Sequence, residues 1–213
     1  RLQDNTIINY MGHLNVFLNF CESINTPPED CTKIHFLTWL TGQSEPTIKQ
    51  RIGMLHNFYT YVLGIPYITA GLPYPKHHVK PPEYLTIQEI KRLFDIIKNE
   101  KQKLILNTQY SLALRVDEVV KLKGINFTQC FHPETKTYYY QVRVNGKGNK
   151  YRILPVHDET INKIKIVLGN DIIGKNEYLF KGQFKEYYSS RSVQMVMKRA
   201  MSEAEIHKKG CTH

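Results

Sequence analysis

The sequence predicts a mainly α-helical protein with one small β-sheet, divided into an all-helical first part and an α+β second part. Three observations predict this. Apolar residues recur at helical spacing from residue 7 to residue 62, a stretch dense in Pro and Gly follows, and two β-rich runs, residues 138–144 and 151–156, flank a short Gly/Lys turn. The chain has 213 residues, 41% hydrophobic and 11% aromatic, enough apolar side chain to bury a core in one large or two small domains.

In chain order, Ile7, Tyr10, Met11, Leu14, Phe17, Leu18 and Cys21 form the stripe of an amphipathic helix over residues 5–24. Thr26-Pro27-Pro28 ends it, a short helix is expected over residues 32–40, and Gly42 to Pro46 breaks the chain again, with Pro46 suited to a first helical turn. The third helix carries Ile48, Ile52, Leu55, Tyr59 and Val62 on one face. Residues 64–82 hold Pro66, Gly71, Pro73, Pro75, Pro81 and Pro82 and cannot keep a regular element for long. The domains are accordingly expected at 1–75 and 83–213, with 76–82 as linker.

The second part opens on Thr86-Ile87-Gln88-Glu89, a capping-box pattern, followed by Ile90, Leu93, Phe94 and Ile97 on one helical face. Helices are expected over 104–114 and 116–122, which puts Arg115 at their junction. The two β-rich runs enclose residues 145–150 as a tight hairpin turn, and helices are expected near 158–168 and 190–204. No internal repeat is visible.

The net charge is +10, which favours a polyanionic partner. Residues 1–80 hold 6 Lys+Arg against 5 Asp+Glu and residues 81–213 hold 23 against 14, so the excess lies with the hairpin. Cys21, Cys31, Cys130 and Cys211 have no C-x-x-C spacing, which suggests neither a zinc site nor a disulfide framework and fits a reducing cytoplasm. No run of about 18 apolar residues is present and the first residues lack a signal-peptide pattern, so a membrane protein or an exported one is not expected.

Two motifs carry chemistry. In Leu114-Arg115-Val116-Asp117-Glu118-Val119 an arginine and a glutamate lie one turn apart among apolar residues, which reads either as a buried charge with a purpose or as an ordinary i,i+3 surface pair. A guanidinium fork matches two phosphate oxygens and stays charged at any working pH. Gly146-Lys147-Gly148-Asn149-Lys150-Tyr151-Arg152 reads as a phosphate-reaching hairpin or as a solvated basic turn whose glycines supply positive φ. Ser190, Arg191 and Lys198 lie on a helix whose serine-bearing N-terminus suits a phosphate, and Val193, Val196, Met197 and Ala200 would form its inward face.

Together these residues resemble the tyrosine recombinases, the phage integrase and Xer-type family, over nearly the whole chain. The helical first part is similar to that family's DNA-clasping core-binding domain, and Tyr84-Leu85-Thr86-Ile87-Gln88-Glu89-Ile90 to the opening of its catalytic domain. The resemblance implies that Arg115 clamps the scissile phosphate, that Glu118 orients it, and that Lys147 protonates the leaving 5′ oxygen. His213 falls where the family places the histidine of its His-x-x-Arg motif. Lys49, Arg51, Lys76, Lys150, Arg152, Ser190, Arg191 and Lys198 would contact DNA. Ala113 and Asp117 depart from the usual Gly and small residue.

The implied partner is double-stranded DNA, held by four protomers on paired sites in the cytoplasm, at the nucleoid, with no metal or other cofactor. The family's second arginine and tyrosine nucleophile would follow His213, so the chain as written is expected not to cleave DNA. A type IB topoisomerase and a non-catalytic DNA-binding relative or regulator are the alternatives.

Overall fold

The computed structural model describes residues 4–75, 81, 83–146, 148 and 150–208, and the chain divides into two compact units, Arg1–Lys80 and Pro81–His213. Unit 1 is built from α1 (Asp4–Ser23), α2 (Lys33–Leu40) and α3 (Glu45–Asn57). Its core is aromatic. Phe17, Phe36 and Tyr59 are fully buried, with Phe17 edge-on to Trp39 at 5.1 Å and Phe36 edge-on to Tyr59 at 5.2 Å between centroids. The Tyr59 hydroxyl donates to the Pro28 carbonyl at 2.5 Å, which ties the Pro-containing loop to the turn that follows α3. That loop returns Cys31 to Cys21, with the two sulfurs 3.6 Å apart, a proximity that the ten-residue separation did not signal. Burial pushes the Cys21 thiol up to about 12.

Two expectations for unit 1 fail. Ile7 and Met11 are about half exposed, so the buried stripe of α1 is narrower than the periodicity implied. Val62, expected inward, is 70% exposed, because α3 passes into a π-turn at Phe58–Val62 and Leu63 N–H donates five residues back to Phe58 O. The wider turn slips the phase of the stripe.

Unit 2 contains α4 (Ile87–Ile96), α5 (Glu100–Ser111), α6 (Val116–Val120), strands β1 (Phe127–His132), β2 (Thr137–Asn145) and β3 (Tyr151–Val156), α7 (Asp158–Leu168) and α8 (Ser190–Glu203). The sheet is antiparallel in the order β1-β2-β3. β1 was not expected; its six residues are strand because they pair in register with β2, from Phe127↔Val142 to His132↔Thr137. The capping box of α4 forms as expected, with Thr86 N–H donating to Glu89 Oε2 at 2.6 Å and Glu89 N–H to Thr86 Oγ1 at 3.2 Å.

Helix α5 starts earlier than expected because the Asn99 side chain caps it, accepting from Gln102 N–H at 3.0 Å. It stops at Ser111 because Ala113 turns left-handed, φ +48°, with Leu114 N–H bonded to Gln109 O at 2.9 Å and Ala113 N–H to Tyr110 O at 3.2 Å. This is the geometry of a Schellman stop with alanine in the place usually taken by glycine. Leu114 is buried behind it, and Arg115 is delivered to the N-cap of α6, just before its first residue Val116.

The core of unit 2 gathers Ile105, Val119, Val120, Val142, Val144, Ile161, Ile164 and Phe180, all at most 1 or 2% exposed. Gly124 holds the start of β1 against the loop after α7. Its N–H donates to Glu177 O at 3.0 Å, and a Cβ there would meet Ile172 O at 1.9 Å, so only glycine fits.

Candidate functional site

Arg115 caps α6 with extended backbone, φ −68° and ψ 154°. Its neighbours Leu114 and Val116 turn inward, so its own side chain turns out and is 67% exposed. Of the two readings of this motif, the buried charge is present, and it is Glu118, whose side chain is 4% exposed, while Arg115 keeps its own charge at the surface.

A buried carboxylate needs compensation. Two arginines supply it. Arg115 donates its backbone N–H to Glu118 Oε2 at 2.7 Å and Nη1 to Oε1 at 3.2 Å. Arg152, on β3, donates Nη1 to Oε1 at 2.7 Å and Nη2 to Oε2 at 2.8 Å, a two-point fork. The Arg152 hydrogen bond is the chief cause holding the Glu118 carboxyl down at about 2, against an opposing contribution from burial, and Glu118 in turn raises the pKa of Arg152.

The β2–β3 turn begins beside this pair. Gly146 N–H bonds to Lys150 O at 2.8 Å, and a Cβ on Gly146 would sit 3.4 Å from both Arg152 Nη1 and Glu118 Oε1. Gly148 is left-handed, φ +76°, as a tight turn requires. Lys150 is exposed. Lys147, like His213 and Lys76, lies outside the described residues.

Helix α8 approaches from another side. Ser189 caps it, accepting from Ser192 N–H at 3.0 Å, and the Ser190 hydroxyl donates to Asp117 on α6. The unusual carboxylate beside Arg115 is thus engaged by α8. Arg191 and Lys198 are exposed on α8, and Val193, Met197 and Ala200 face the core as expected.

In unit 1, Lys49 is half-buried and Arg51 stacks on Trp39, 4.3 Å from the ring centroid, while donating Nη1 to Trp39 O at 3.2 Å. Lys208 went unnoticed in the sequence. It donates to Glu89 Oε2 at 2.6 Å and to Tyr84 O at 2.9 Å, fastening the segment that leads towards His213 to the start of α4, and it is the first cause of the Glu89 carboxyl lying at about 2.

The Arg152 contact carried a legible signal. In the register Val144↔Arg152, Val142↔Leu154 and Tyr140↔Val156, Arg152 shares the inward face of β3 with Leu154 and Val156. Alternation therefore placed a cation inward, which demands a buried anion.

Chemically, unit 2 presents an exposed guanidinium on a fixed backbone, a basic hairpin turn and a serine-rich helix start. Among the described residues no helix is long and apolar enough to cross a membrane. The family model described as the phage integrase family matches residues 83–213. A tyrosine recombinase of Pseudothermotoga lettingae is 26% identical over 205 residues, 89% of this chain and 68% of that protein. The tyrosine recombinase XerD of Staphylococcus epidermidis is 30% identical over 131 residues, 56% of this chain and 41% of that protein, so this chain spans two-thirds of one relative and less than half of the other. The solved structure of a lambda integrase dimer bound to a COC′ core site matches 99% of this chain and 78% of its own, with a TM-score of 0.76 at 17% identity, a likeness of fold.

Proposed function

This chain belongs to the phage integrase family of tyrosine recombinases, and from that premise we propose that it serves site-specific breakage and rejoining of DNA through a 3′-phosphotyrosyl intermediate. A tyrosine oxygen attacks the scissile phosphorus, the bond from phosphorus to the 5′ oxygen breaks, and that oxygen takes a proton from Lys147. A 5′-hydroxyl of a partner strand then attacks the same phosphorus and releases the tyrosine. Arg115 neutralises the phosphate oxygens, and His213 donates a hydrogen bond to the phosphate or accepts the tyrosine proton. The partner is duplex DNA, gripped through exposed Lys150, Arg191 and Lys198, with four protomers on two paired sites. The reaction would take place on the nucleoid.

The observation that carries this reading is Arg115, whose guanidinium is 67% exposed while its backbone is pinned by a carboxylate 4% exposed. A phosphate clamp needs this combination of an open charge on an immobile base.

The test incubates the protein of the open reading frame that encodes this chain with fragmented DNA in EDTA, then denatures it. Protein that stays attached to DNA, and no longer does after Arg115→Ala, supports strand transfer. Lys147→Ala should slow attachment far more than it weakens binding. Salt-sensitive binding without attachment would instead favour a non-catalytic DNA-binding relative, and the absence of both would overturn the reading.

A further inference from the structure

We propose that Arg152 is a positioning residue, not a DNA-phosphate ligand: by forking onto buried Glu118 it locks the Arg115 backbone and the seat of the β2–β3 turn into one register. The functional consequence rests on the reading of Arg115 given above; the structural one does not.

Three observations converge. Arg152 points to the inward face of β3, opposite Val144, while Tyr151 and Ile153 on either side are 52% and 60% exposed. Both of its Nη atoms are spent on the two Glu118 oxygens, at 2.7 and 2.8 Å, and only 34% of the side chain is exposed. A Cβ at Gly146, the first residue of the turn, would sit 3.4 Å from both members of the pair, so the pair borders the start of the turn and leaves room there for little more than a glycine. Glu118 links these to the clamp, because the same Oε2 that takes Arg152 Nη2 also takes the Arg115 N–H.

Lysine cannot replace this. An ammonium is a point charge and spans one oxygen where the guanidinium spans two. Lys150, two residues earlier and exposed, is the contrasting case, a residue with its charge available to a phosphate.

The experiment compares Arg152→Lys, Arg152→Gln and Lys150→Gln in the 213-residue chain, with folding checked by circular dichroism. Binding to a non-specific duplex is followed against salt, and the Glu118 carboxyl is titrated by carbon NMR. Each phosphate contact adds about 0.9 to the slope of log affinity against log salt. Lys150→Gln should lose about that much and leave the Glu118 titration in place. Arg152→Lys keeps the charge, yet should raise the Glu118 titration and, in the protein of the full reading frame, slow DNA attachment at least tenfold at unchanged affinity.

Wild-type attachment with Arg152→Lys, or loss of one full phosphate contact with Arg152→Gln, would overturn the proposal. If the wild-type chain shows no salt-sensitive binding, the functional reading fails, and the Glu118 titration in Arg152→Lys decides the positioning role alone: raised supports it, unmoved overturns it. Should both variants fail to fold, the wild-type Arg152 Nη signals decide. Signals that hold their Glu118-bound positions when duplex is added support the role, and signals that shift towards a phosphate-bound state overturn it.

Discussion

Replacing Ala113 by glycine should stabilise the protein, against the usual expectation for glycine beside a helix. Ala113 sits at φ +48°, where an L-residue other than glycine meets its own carbonyl at a cost of about 1–2 kcal/mol. Glycine removes that cost and returns about 0.5–1 kcal/mol as extra freedom of the unfolded chain. Ala113 is exposed, so its methyl contributes little packing, and the bonds from Leu114 N–H to Gln109 O and Ala113 N–H to Tyr110 O are made by backbone and survive the change. The balance is a gain of about 0.5–1 kcal/mol, a rise of roughly 2–4 °C in Tm per kcal/mol for a chain of this size. Far-UV circular dichroism melts with urea titrations would measure it. Trp39, the single tryptophan, lies in unit 1, and its fluorescence reports there while Ala113 belongs to unit 2. A variant less stable than wild type would refute the argument, since it would mean that the left-handed turn carries no strain or that the methyl is held by packing.

Three further outcomes are expected. Gly124→Ala drives a Cβ to within 1.9 Å of a backbone oxygen that cannot swing away, so unit 2 should lose about 3 kcal/mol or more; a urea midpoint near wild type would contradict the close approach. Thr108 is fully buried with a hydroxyl that finds no partner among the described residues, so Thr108→Val should raise stability by about 1 kcal/mol in the same titration, and a loss would mean that the hydroxyl is bonded after all. Glu118, ordinarily near 4.5 and here at about 2, is depressed, so its stabilisation is complete above pH 4.5 and disappears as pH falls towards 2. That window holds on the order of 3 kcal/mol, and urea midpoints of Glu118→Gln should fall less steeply between pH 6 and 3 than those of wild type; parallel curves would exclude the assignment.

Much of this was legible where the signal is local. Thr86 and Glu89 announced their capping box, and residues 158–168 became a helix with the expected bounds, since cap and stripe lie within a few residues of each other. β1 was not legible: Phe127-Thr128-Gln129-Cys130-Phe131-His132 has no clean alternation and is strand because β2 pairs with it. Val62 was misplaced because a π-turn leaves no mark in a 3.6-residue pattern. At the site, Arg115 and Glu118 were found by spacing, but which of them is buried was decided by the Ala113 turn. The expected partner of Glu118 was Arg115 alone. Its stronger partner lies 34 residues away, a distance that no local window spans, although the two-residue period of β3 pointed inward.

The clasp between Lys208 and Glu89 has a bearing on synthesis. Its partners are 119 residues apart, so the first helix of unit 2 leaves the ribosome long before the lysine that fastens it exists. At about 5–20 residues per second the wait is roughly 6 to 24 s. During that interval α4 has its own capping box from Thr86 but not the clasp, and its inward residue Leu93 has yet to join the core to which α8 contributes Met197 and Met201. The nascent chain therefore carries an apolar helix face in search of cover for many seconds, and the local cap that keeps α4 helical in the meantime is what lets the late lysine find a formed partner.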